Sequence, residues 1–358
     1  LKISGVKLQI VEQKDLDDGM AGGVLAARAK FKKGEGCIVV SANDVVSEAL
    51  YREVAKMNVK GDGIIVGKKV REYFPGGYLK IERGIITKIV EKPKQGTEPS
   101  DVVNLVVHRF EDAGALFNYV EKAKSKSDDS YEVGLQNWFS SGGKFGVLRY
   151  DGFWQPVKFP WHVLALMKHF VCKKKVEKNL SIAKSAKITG DVVLEDGVRI
   201  LDNAVVIGPA YIGRNTVIGN NAFVRESHVG ADCVIGFGSE VARSYLGNNV
   251  WLHNNYIGDS VIGNDVAFGA GAITGNYRLD GKTISMNVKG VKIDTGLIKL
   301  GLVTGDRVRV GINTSFMPGI TVGSDSFVGA GIMVGQDIPA GFFVRGDWKL
   351  KISKNRQA

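Results

Sequence analysis

The sequence has few cysteines, few prolines and no long apolar run. Its three cysteines, Cys37, Cys172 and Cys233, are too few and too scattered for a disulfide framework, and no Cys/His spacing indicates a zinc site. No stretch approaches the roughly 20 uncharged apolar residues of a membrane span, and the first residues do not resemble a signal peptide. We therefore expect a cytoplasmic protein that binds no membrane.

Charge of one sign is not concentrated in any segment. The 48 basic and 37 acidic residues give a net charge of +11, and most of the excess is spread through the first half of the chain. The densest lysine run, at 173–178, ends a predicted helix. It lacks the interleaved arginine and aromatic residues that are typical of proteins that bind single-stranded nucleic acid. We expect no nucleic-acid partner, which leaves the positive charge available for small anionic substrates.

Glycine, by contrast, is abundant: 46 of the 358 residues are glycine, about 13% against a usual level of roughly 7%. A collagen is excluded because the chain has only 8 prolines and its glycines do not recur at every third residue. In the second half, aliphatic-glycine pairs recur in steps of six, as in Ile212-Gly213 and Ile218-Gly219, and again in Val322-Gly323 and Val328-Gly329. A six-residue unit fits one side of a triangular β-solenoid of about 18 residues per coil. Residues 180–345 thus predict roughly nine coils, with aliphatic side chains inward and turn-prone residues at the corners.

The first half has a mixed α/β pattern. Short β-branched runs predict strands at 37–40, 63–66 and 102–107, and residues 1–13 also predict a strand. Residues 78–91 predict a hairpin, and apolar periodicity predicts helices at 111–124, 131–139 and 161–171. Alternating strands and helices predict a sheet covered by helices. We therefore assign residues 1–178 to a Rossmann-like α/β domain and residues 179–358 to the solenoid.

The hexads break repeatedly between residues 246 and 299, and the candidate functional residues lie there. His253 could act as a general base near neutral pH, or it could be a partly buried solenoid histidine with a satisfied hydrogen bond. Around Ala270, glycines leave backbone N–H groups open to a ligand, and Asn276 and Lys282 could orient and neutralise an anion; an ordinary corner and an Asp-Gly turn are the alternative. Residues 282–299 carry no hexads, which predicts a loop or hairpin leaving the solenoid.

A family resemblance rests on the order and intervals of these residues. The series His253, Tyr256, Ile257-Gly258-Asp259, Gly269-Ala270-Gly271, Asn276-Tyr277 and Lys282 resembles the acetyltransferase half of the bifunctional glucosamine-1-phosphate acetyltransferase/N-acetylglucosamine-1-phosphate uridylyltransferase family. Residues 299–319 resemble the archaeal members, which join a sugar-1-phosphate nucleotidyltransferase to this domain. The resemblance implies a left-handed parallel β-helix, a homotrimer with the site between neighbouring chains, and a place in UDP-N-acetylhexosamine biosynthesis.

The resemblance also implies a role for individual residues. Acetyl-CoA would be the cosubstrate, His253 would take the proton from the amine of an amino-sugar 1-phosphate, and Asn276 would help hold the thioester carbonyl. The implied binding residues are Arg225, Tyr256 and Lys282 for the sugar phosphate, and Ala270, Ala330 and Arg345 for acetyl-CoA. Two positions depart from the pattern: Ala242 replaces a lysine, for which Arg243 is a possible substitute, and Ser285 replaces a lysine of archaeal members.

The first half resembles the nucleotidyltransferase half of the same family. Residues 38–44 resemble the strand that ends in a magnesium-binding aspartate, here Asp44, and residues 19–21 resemble a segment near the nucleobase. Glu91 and Lys92 belong to a Glu-Lys-Pro motif of the family. The resemblance implies sugar phosphates and nucleotides as substrates, with Mg²⁺ for any residual nucleotidyl transfer.

This half also departs from the family. The glycine-rich phosphate loop is absent, so we expect an N-terminally truncated domain. Pro156 occupies the position of the second magnesium-binding aspartate, and Ala42-Asn43 replaces the usual Asn-Gly before Asp44. Phosphoryl-transfer chemistry depends on positioning and charge neutralisation, so we expect an impaired nucleotidyltransferase half.

Three functions remain open from the sequence. The first is N-acetylation of glucosamine- or galactosamine-1-phosphate with acetyl-CoA. The second is uridylyl or thymidylyl transfer to a sugar 1-phosphate, with a purely structural β-helix. The third is a non-catalytic scaffold that binds sugar nucleotides, a reading motivated by Pro156 and Ala242.

Overall fold

The computed structural model describes residues 7–125, 129–170, 175–347, 349 and 352–354. The chain forms two compact units, Leu1–Pro156 and Val157–Ala358. This division lies ahead of the boundary expected at 178/179. None of the helices in the described ranges is long and apolar enough to cross a bilayer. Cys37 and Cys233 are free thiols, and Cys172 lies outside the described residues.

The first unit contains eight strands and four α-helices among its described residues. The strands are β1 (Cys37–Val40), β2 (Asp44–Val46), β3 (Gly63–Lys69), β4 (Gly77–Glu82), β5 (Ile85–Glu91), β6 (Val102–Phe110), β7 (Phe145–Arg149) and β8 (Trp154–Pro156). The α-helices are α1 (Gly19–Ala26), α2 (Glu48–Lys56), α3 (Ala113–Lys122) and α4 (Ser130–Ser140), and short 3₁₀ turns span Leu16–Asp18 and Arg28–Lys30.

Six of these strands form one sheet in the order β1-β6-β3-β7-β5-β4, and β2 pairs with β8 separately. β3 runs parallel to β7 and antiparallel to β6. The predicted hairpin is confirmed, since β4 and β5 pair antiparallel through a turn at Arg83 and Gly84. The helices predicted at 111–124 and 131–139 are confirmed as α3 and α4. The strand predicted at residues 1–13 is wrong for residues 7–13, where Leu8 and Ile10 are exposed and none of the described strands pairs with them. Residues 1–6 of that prediction lie outside the described residues.

His108 on β6 is fully buried in the first unit. Its Nδ1 lies 2.8 Å from the Tyr131 hydroxyl and its Nε2 lies 2.7 Å from Oδ1 of Asn104, so both ring nitrogens are hydrogen-bonded. Burial disfavours the charged imidazolium and lowers the pKa of His108 to about 3. The folded protein therefore holds a neutral histidine in its interior.

The second unit is a parallel β-solenoid with three faces. The strands of the first face are Ser181–Ile182, Arg199–Ile200, Val217–Ile218, Val234–Ile235, Trp251–Leu252, Ala267–Phe268, Arg309–Val310, Phe327–Val328 and Phe343–Val344. Those of the second face are Lys187–Thr189, Val205–Ile207, Phe223–Arg225, Glu240–Ala242, Tyr256–Gly258, Ile273–Thr274, Ser315–Phe316 and Met333–Val334. Those of the third face are Lys175–Val176, Val192–Leu194, Ala210–Ile212, His228–Val229, Tyr245–Leu246, Val261–Ile262, Val303–Thr304 and Thr321–Val322.

The predicted solenoid is confirmed in its coil number and in the direction of its side chains. Nine strands stack on the first face, which agrees with roughly nine coils. The aliphatic residues of the hexads point inward and are buried, as Ile212, Ile218 and Val224 show. Corners carry residues in the left-handed region, mostly Asn and Asp, which tolerate it better than other side chains: Asn203, Asn215, Asn221, Asp232, Asn249, Asn254, Asp265, Asn313 and Asp325.

Residues 157–170 join the solenoid because they pack on it through α5 (His162–Phe170) and the residues just before it. Trp161 is buried in a cluster with Ile284, Met286, Leu300 and Val303. The first two of these come from the segment predicted to leave the solenoid. That segment is confirmed as a hairpin, in which strands Ser285–Val288 and Val291–Asp294 pair antiparallel.

The neutral state of His108 should make stability depend on pH. The unfolded chain binds a proton at this residue below about pH 6.5, whereas the folded protein does not until about pH 3, so stability falls as the pH drops between these values. Between pH 7 and pH 5, we expect the wild type to lose about 2 kcal/mol more unfolding free energy than His108→Gln. Urea unfolding at both pH values measures this, and equal losses in the two proteins would contradict it.

Candidate active site on the solenoid

His253 lies at the corner between the first and second faces, directly after the strand Trp251–Leu252. Its side chain is exposed, and the imidazole has no hydrogen-bond partner among the described residues. The alternative of a buried histidine with a satisfied hydrogen bond is therefore wrong. An exposed imidazole with free nitrogens can accept a proton from a bound substrate.

The parallel pairing of the first face aligns this corner from coil to coil. Trp251 pairs with Ala267, Phe268 with Val310, Val310 with Val328, and Val328 with Val344. The residues that follow these strands form a column: His253, Gly269, Gly311, Gly329 and Arg345. Ala270 and Ala330 lie one residue further on, in the neighbouring column. We call these two neighbouring columns together the corner edge. The structure thus places His253, Ala270, Ala330 and Arg345 along one exposed line, at about 4.8 Å per coil.

The backbone N–H of Ala270 is available on this edge. The Ala270 carbonyl accepts a hydrogen bond from Asn313 at 2.9 Å, and the neighbouring Gly269 and Gly271 N–H groups donate to carbonyls of adjacent coils. The N–H of Ala270 itself has no partner among the described residues, and the residue is exposed. A free N–H one coil above an imidazole can hold a carbonyl oxygen as negative charge develops on it.

Tyr256 and Asn276 meet on the second face in a hydrogen-bonded network. Nδ2 of Asn276 donates to the Tyr256 hydroxyl at 3.1 Å and to Oδ2 of Asp259 at 2.6 Å. The carboxylate requires a donor, which fixes the orientation of the amide. Both amide hydrogens of Asn276 are thus used within the chain. The expected contact of Asn276 with a thioester carbonyl remains a prediction, and the amide is already held in place by its two neighbours.

Sequence reasoning missed the group that anchors this network. Asp259 is buried, and its carboxylate accepts two hydrogen bonds from Arg243, Nε to Oδ1 at 2.7 Å and Nη2 to Oδ2 at 2.6 Å. This hydrogen bonding to Asp259 raises the pKa of the Arg243 guanidinium above its usual range, so the arginine stays charged. Both residues are in the left-handed conformation at successive corners. The sequence did contain a signal for this pair, because Arg243 and Asp259 have opposite charges and lie 16 residues apart, which is about one solenoid coil.

Among the described residues, neither the side chain of Arg225 nor that of Lys282 has a hydrogen bond or ion pair to this network. Arg225 pairs in register with Ala242, and Ala242 with Gly258, which places Arg225 two coils from Gly258. Its guanidinium donates to Oε1 of Glu240 at 2.8 and 3.1 Å. Lys282 is exposed, and its ammonium has no ion-pair partner in the described part of the chain. The nearby Asp280 carboxylate is paired with Arg278. Lys282 is therefore available for an anionic group, whereas Arg225 is already paired.

In the first unit, Asp44 pairs with Pro156, the residue at which the resemblance implied a second aspartate. Asp44 is the register partner of Pro156 in the β2–β8 pair, and its Oδ1 accepts a hydrogen bond from Nε1 of Trp154 at 2.8 Å. No group of three or more possible metal ligands forms within the described ranges. The residues present offer one carboxylate, beside a proline, and do not fit a two-aspartate magnesium site.

Glu91 and Lys92 lie at the end of β5. Nζ of Lys92 is 3.6 Å from Oε1 of Glu91, and Lys92 has a positive φ of 43°. A separate cavity of about 590 Å³ opens beside β1 and is lined by Gly19, Met20 and Ala42, among others. The segment expected near a nucleobase thus borders a cavity.

The Arg243–Asp259 pair should contribute to stability because Arg243→Ala leaves a carboxylate that is only 9% exposed without its partner. We expect a loss of about 1–3 kcal/mol in unfolding free energy. The matched control is Arg307→Ala, whose pair with Asp325 is more than half exposed on both sides and should change stability by about 0.5 kcal/mol or less. Urea unfolding monitored by circular dichroism compares the two. Equal effects would show that the Arg243–Asp259 pair is no stronger than a surface pair.

Two family models match the chain. One, described as nucleotidyl transferase, matches residues 2–156, and one described as bacterial transferase hexapeptide (six repeats) matches residues 191–226. A solved UDP-glucose pyrophosphorylase from Acinetobacter baumanii is similar over 47% of this chain and 61% of its own, with 15% identity and a TM-score of 0.39.

Curated relatives match over almost the whole chain. The bifunctional protein GlmU of Methanococcus maripaludis is 32% identical over 97% of this chain and 82% of its own length. A bifunctional sugar-1-phosphate nucleotidylyltransferase/acetyltransferase of Sulfurisphaera tokodaii is 29% identical over 95% of this chain and 83% of its own. The chain therefore belongs to the GlmU-like family of bifunctional sugar-1-phosphate nucleotidyltransferases and acetyltransferases.

Proposed function

We propose that the chain is an amino-sugar-1-phosphate N-acetyltransferase that uses acetyl-CoA, with the corner edge as its active site. The observation that carries this proposal is the pairing of a free imidazole on His253 with a free N–H on Ala270, one coil apart on an exposed edge. Acyl transfer to an amine needs these two groups, a base for the amine proton and a donor for the developing oxyanion.

In the proposed reaction, the amine nitrogen of the sugar attacks the thioester carbonyl. A C–N bond forms, and the carbonyl oxygen gains charge that the Ala270 N–H stabilises, a contribution of roughly 3–4 kcal/mol for one such donor. The imidazole of His253 takes the proton from the amine. When the C–S bond breaks, CoA leaves as a thiolate and the amide is complete. The proton on His253 can then pass to the thiolate, which restores the base.

The substrate would be held by groups around these two. Tyr256 and Asn276 present a fixed hydroxyl and amide on the second face, and Lys282 offers an unpaired positive charge for the sugar phosphate. Arg225 would join them only by leaving Glu240. For CoA, Ala330 and Arg345 continue the corner edge from Ala270 by two and three coils, and Arg345 is suited to a phosphate.

We further propose a homotrimer in which neighbouring chains cover this edge. Exposed apolar side chains lie on both faces that meet there: Trp251, Phe327 and Phe343 on the first face, and Ile273 and Met333 on the second. Exposed apolar side chains grouped in this way are typical of an interface. A second chain at the edge would also narrow the open groove in which the substrates would lie.

Nucleotidyl transfer is the second candidate, favoured by the family match over residues 2–156. We propose that this activity is impaired, because the residue in register with Asp44 is Pro156, which provides no metal ligand. Asp44, Glu91 and Lys92 would remain as sugar-phosphate or nucleotide contacts.

The acetyltransferase proposal is tested with acetyl-CoA and glucosamine-1-phosphate or galactosamine-1-phosphate, by following thiol release. We expect His253→Ala to lower kcat by about 10²- to 10⁴-fold, the usual contribution of a general base. Asn254→Gly is the matched control at the same corner, since its φ of 52° suits glycine and the residue should tolerate the change. The same background rate in wild type and His253→Ala would overturn the proposal.

The proposed impairment is tested by magnesium-dependent release of pyrophosphate from UTP or dTTP in the presence of a sugar 1-phosphate. We expect no release above background from the wild type. Pro156→Asp places a second carboxylate in register with Asp44, and we expect it to tighten Mn²⁺ binding measured by calorimetry. Turnover by the wild type would contradict the impairment and would favour the second candidate.

A further inference from the structure

The corner edge contains one position at which the regular hydrogen bonding between coils is broken. Glycine N–H groups in the column donate to a carbonyl of the next coil, in the pairs Gly219 to Ile235, Gly236 to Leu252, Gly269 to Val310, Gly311 to Val328 and Gly329 to Val344, at 2.7 to 3.0 Å. His253 lies in this column between Gly236 and Gly269. Its N–H donates instead to Oδ1 of Asn255, at 2.5 Å.

Glycine predominates in this column, although Ala183 and Leu201 carry side chains there and keep the regular bonds, to Ile200 at 2.8 Å and to Ile218 at 2.9 Å. A Cβ atom added to Gly236 would lie 2.3 Å from the carbonyl oxygen of Leu252, and one added to Gly269 would lie 2.7 Å from the nitrogen of Ile312. Neither distance is possible for a real side chain. Between these two glycines, His253 carries a side chain, and its backbone N–H is bonded to Asn255 rather than to the next coil.

Asn255 has further contacts that reach the next coil. Its side chain is buried, and Nδ2 donates to the carbonyls of Gly269 at 2.8 Å and Ala272 at 3.1 Å. These two carbonyls flank Ala270. One amide group therefore binds the backbone of His253 on one side and the corner that presents the Ala270 N–H on the other.

Asn255 is unusual among the residues at its own position in the coil. The residues that precede the strands of the second face are mostly small, as Ala204, Ala222, Ser239, Ala272 and Thr314 show, with Ile332 as the exception in the last coil of that face. Asn255 is larger, and its amide uses one acceptor and both donors. A buried side chain whose polar groups are all bonded has a single arrangement, which makes it a rigid spacer between two corners.

We propose that Asn255 is a positioning residue that sets the imidazole of His253 against the N–H of Ala270. This inference rests on the proposed acetyl transfer for its kinetic consequence, whereas the placement of His253 by Asn255 stands on the contacts alone. Reacting groups that shift by about 1 Å can lose about 10²-fold in rate, so the spacer should matter for turnover more than for substrate binding.

The test uses Asn255→Thr in the full chain. Thr314, at the same position two coils further on, donates from Oγ1 to the Gly329 carbonyl at 2.9 Å, so threonine fits this column and keeps the link to the next coil. The Asn255→Thr substitution removes Oδ1 of Asn255, the acceptor for the His253 N–H. We expect kcat to fall about 10- to 100-fold while KM for acetyl-CoA changes by less than about threefold. In protein labelled with ¹³Cε1-histidine, we also expect the His253 signal, assigned with His253→Gln, to shift or broaden.

The matched control is Thr216→Ala at a different corner. Thr216 is fully buried, donates to the Gly230 carbonyl at 2.7 Å and accepts from the Cys233 N–H at 3.1 Å, so its loss removes similar bonds far along the chain from His253. We expect kcat and the His253 signal to stay unchanged in this variant. If Asn255→Thr does not fold, Asn255→Ser replaces it in the same measurements.

The outcomes separate this inference from the proposed function. An unshifted His253 signal in Asn255→Thr, or a loss of kcat that Thr216→Ala reproduces, would overturn the positioning role. A shifted His253 signal in a protein whose wild type acetylates no amino-sugar phosphate would support the placement of His253 by Asn255 and refute acetyl transfer. A shifted signal together with a specific loss of kcat supports both.

Discussion

Parallel hydrogen bonds between stacked coils are the constraint on which the candidate active site depends. They fix each residue above its counterpart in the coil below, at about 4.8 Å, so that groups distant in sequence meet in columns. His253 and Arg345 share one such column although 92 positions separate their numbers, with the register continuous through Gly269, Gly311 and Gly329. The inward aliphatic side chains stabilise this stack by burying one continuous core.

Buried hydroxyl groups secure the stack at the corner between the second and third faces. Ser227, Ser244 and Ser260 lie one above another, and the hydroxyl of each accepts the backbone N–H of the residue at the same position in the next coil. The last of these bonds joins Ser260 to Leu302, 42 residues further on, across the hairpin. The coils before and after the segment that contains Lys282 and the hairpin are therefore stacked in the same register. A polar ladder of this kind holds the coils in register without closing the exposed edge where His253 lies.

Much of the fold could be predicted from the sequence because local pattern and burial coincide. The hexads predicted the inward residues Ile212 and Val322, and their loss after Lys282 predicted the hairpin. The strand expected at residues 1–13 was wrong for residues 7–13, since a strand needs a neighbour that local pattern cannot supply. His253 could be found because the hexads break around it. Asn255 could not be assigned a role, because its partners in the next coil become visible only when the register is known. For Asp259, the sequence offered the opposite charge of Arg243 one coil away, but not the contact with Asn276.

The corner edge and the first unit differ in how fully their residues supply the chemistry that the family implies. The edge presents a free imidazole and a free N–H, and the second face beside it presents an amide held by hydrogen bonds. The first unit presents Asp44 opposite a proline. A crystal structure with CoA and glucosamine-1-phosphate tests this contrast most directly. We expect the CoA sulfur beside His253 and the Ala270 N–H, with the sugar phosphate near Tyr256 and Lys282; CoA bound away from the corner edge would contradict the assignment of the active site.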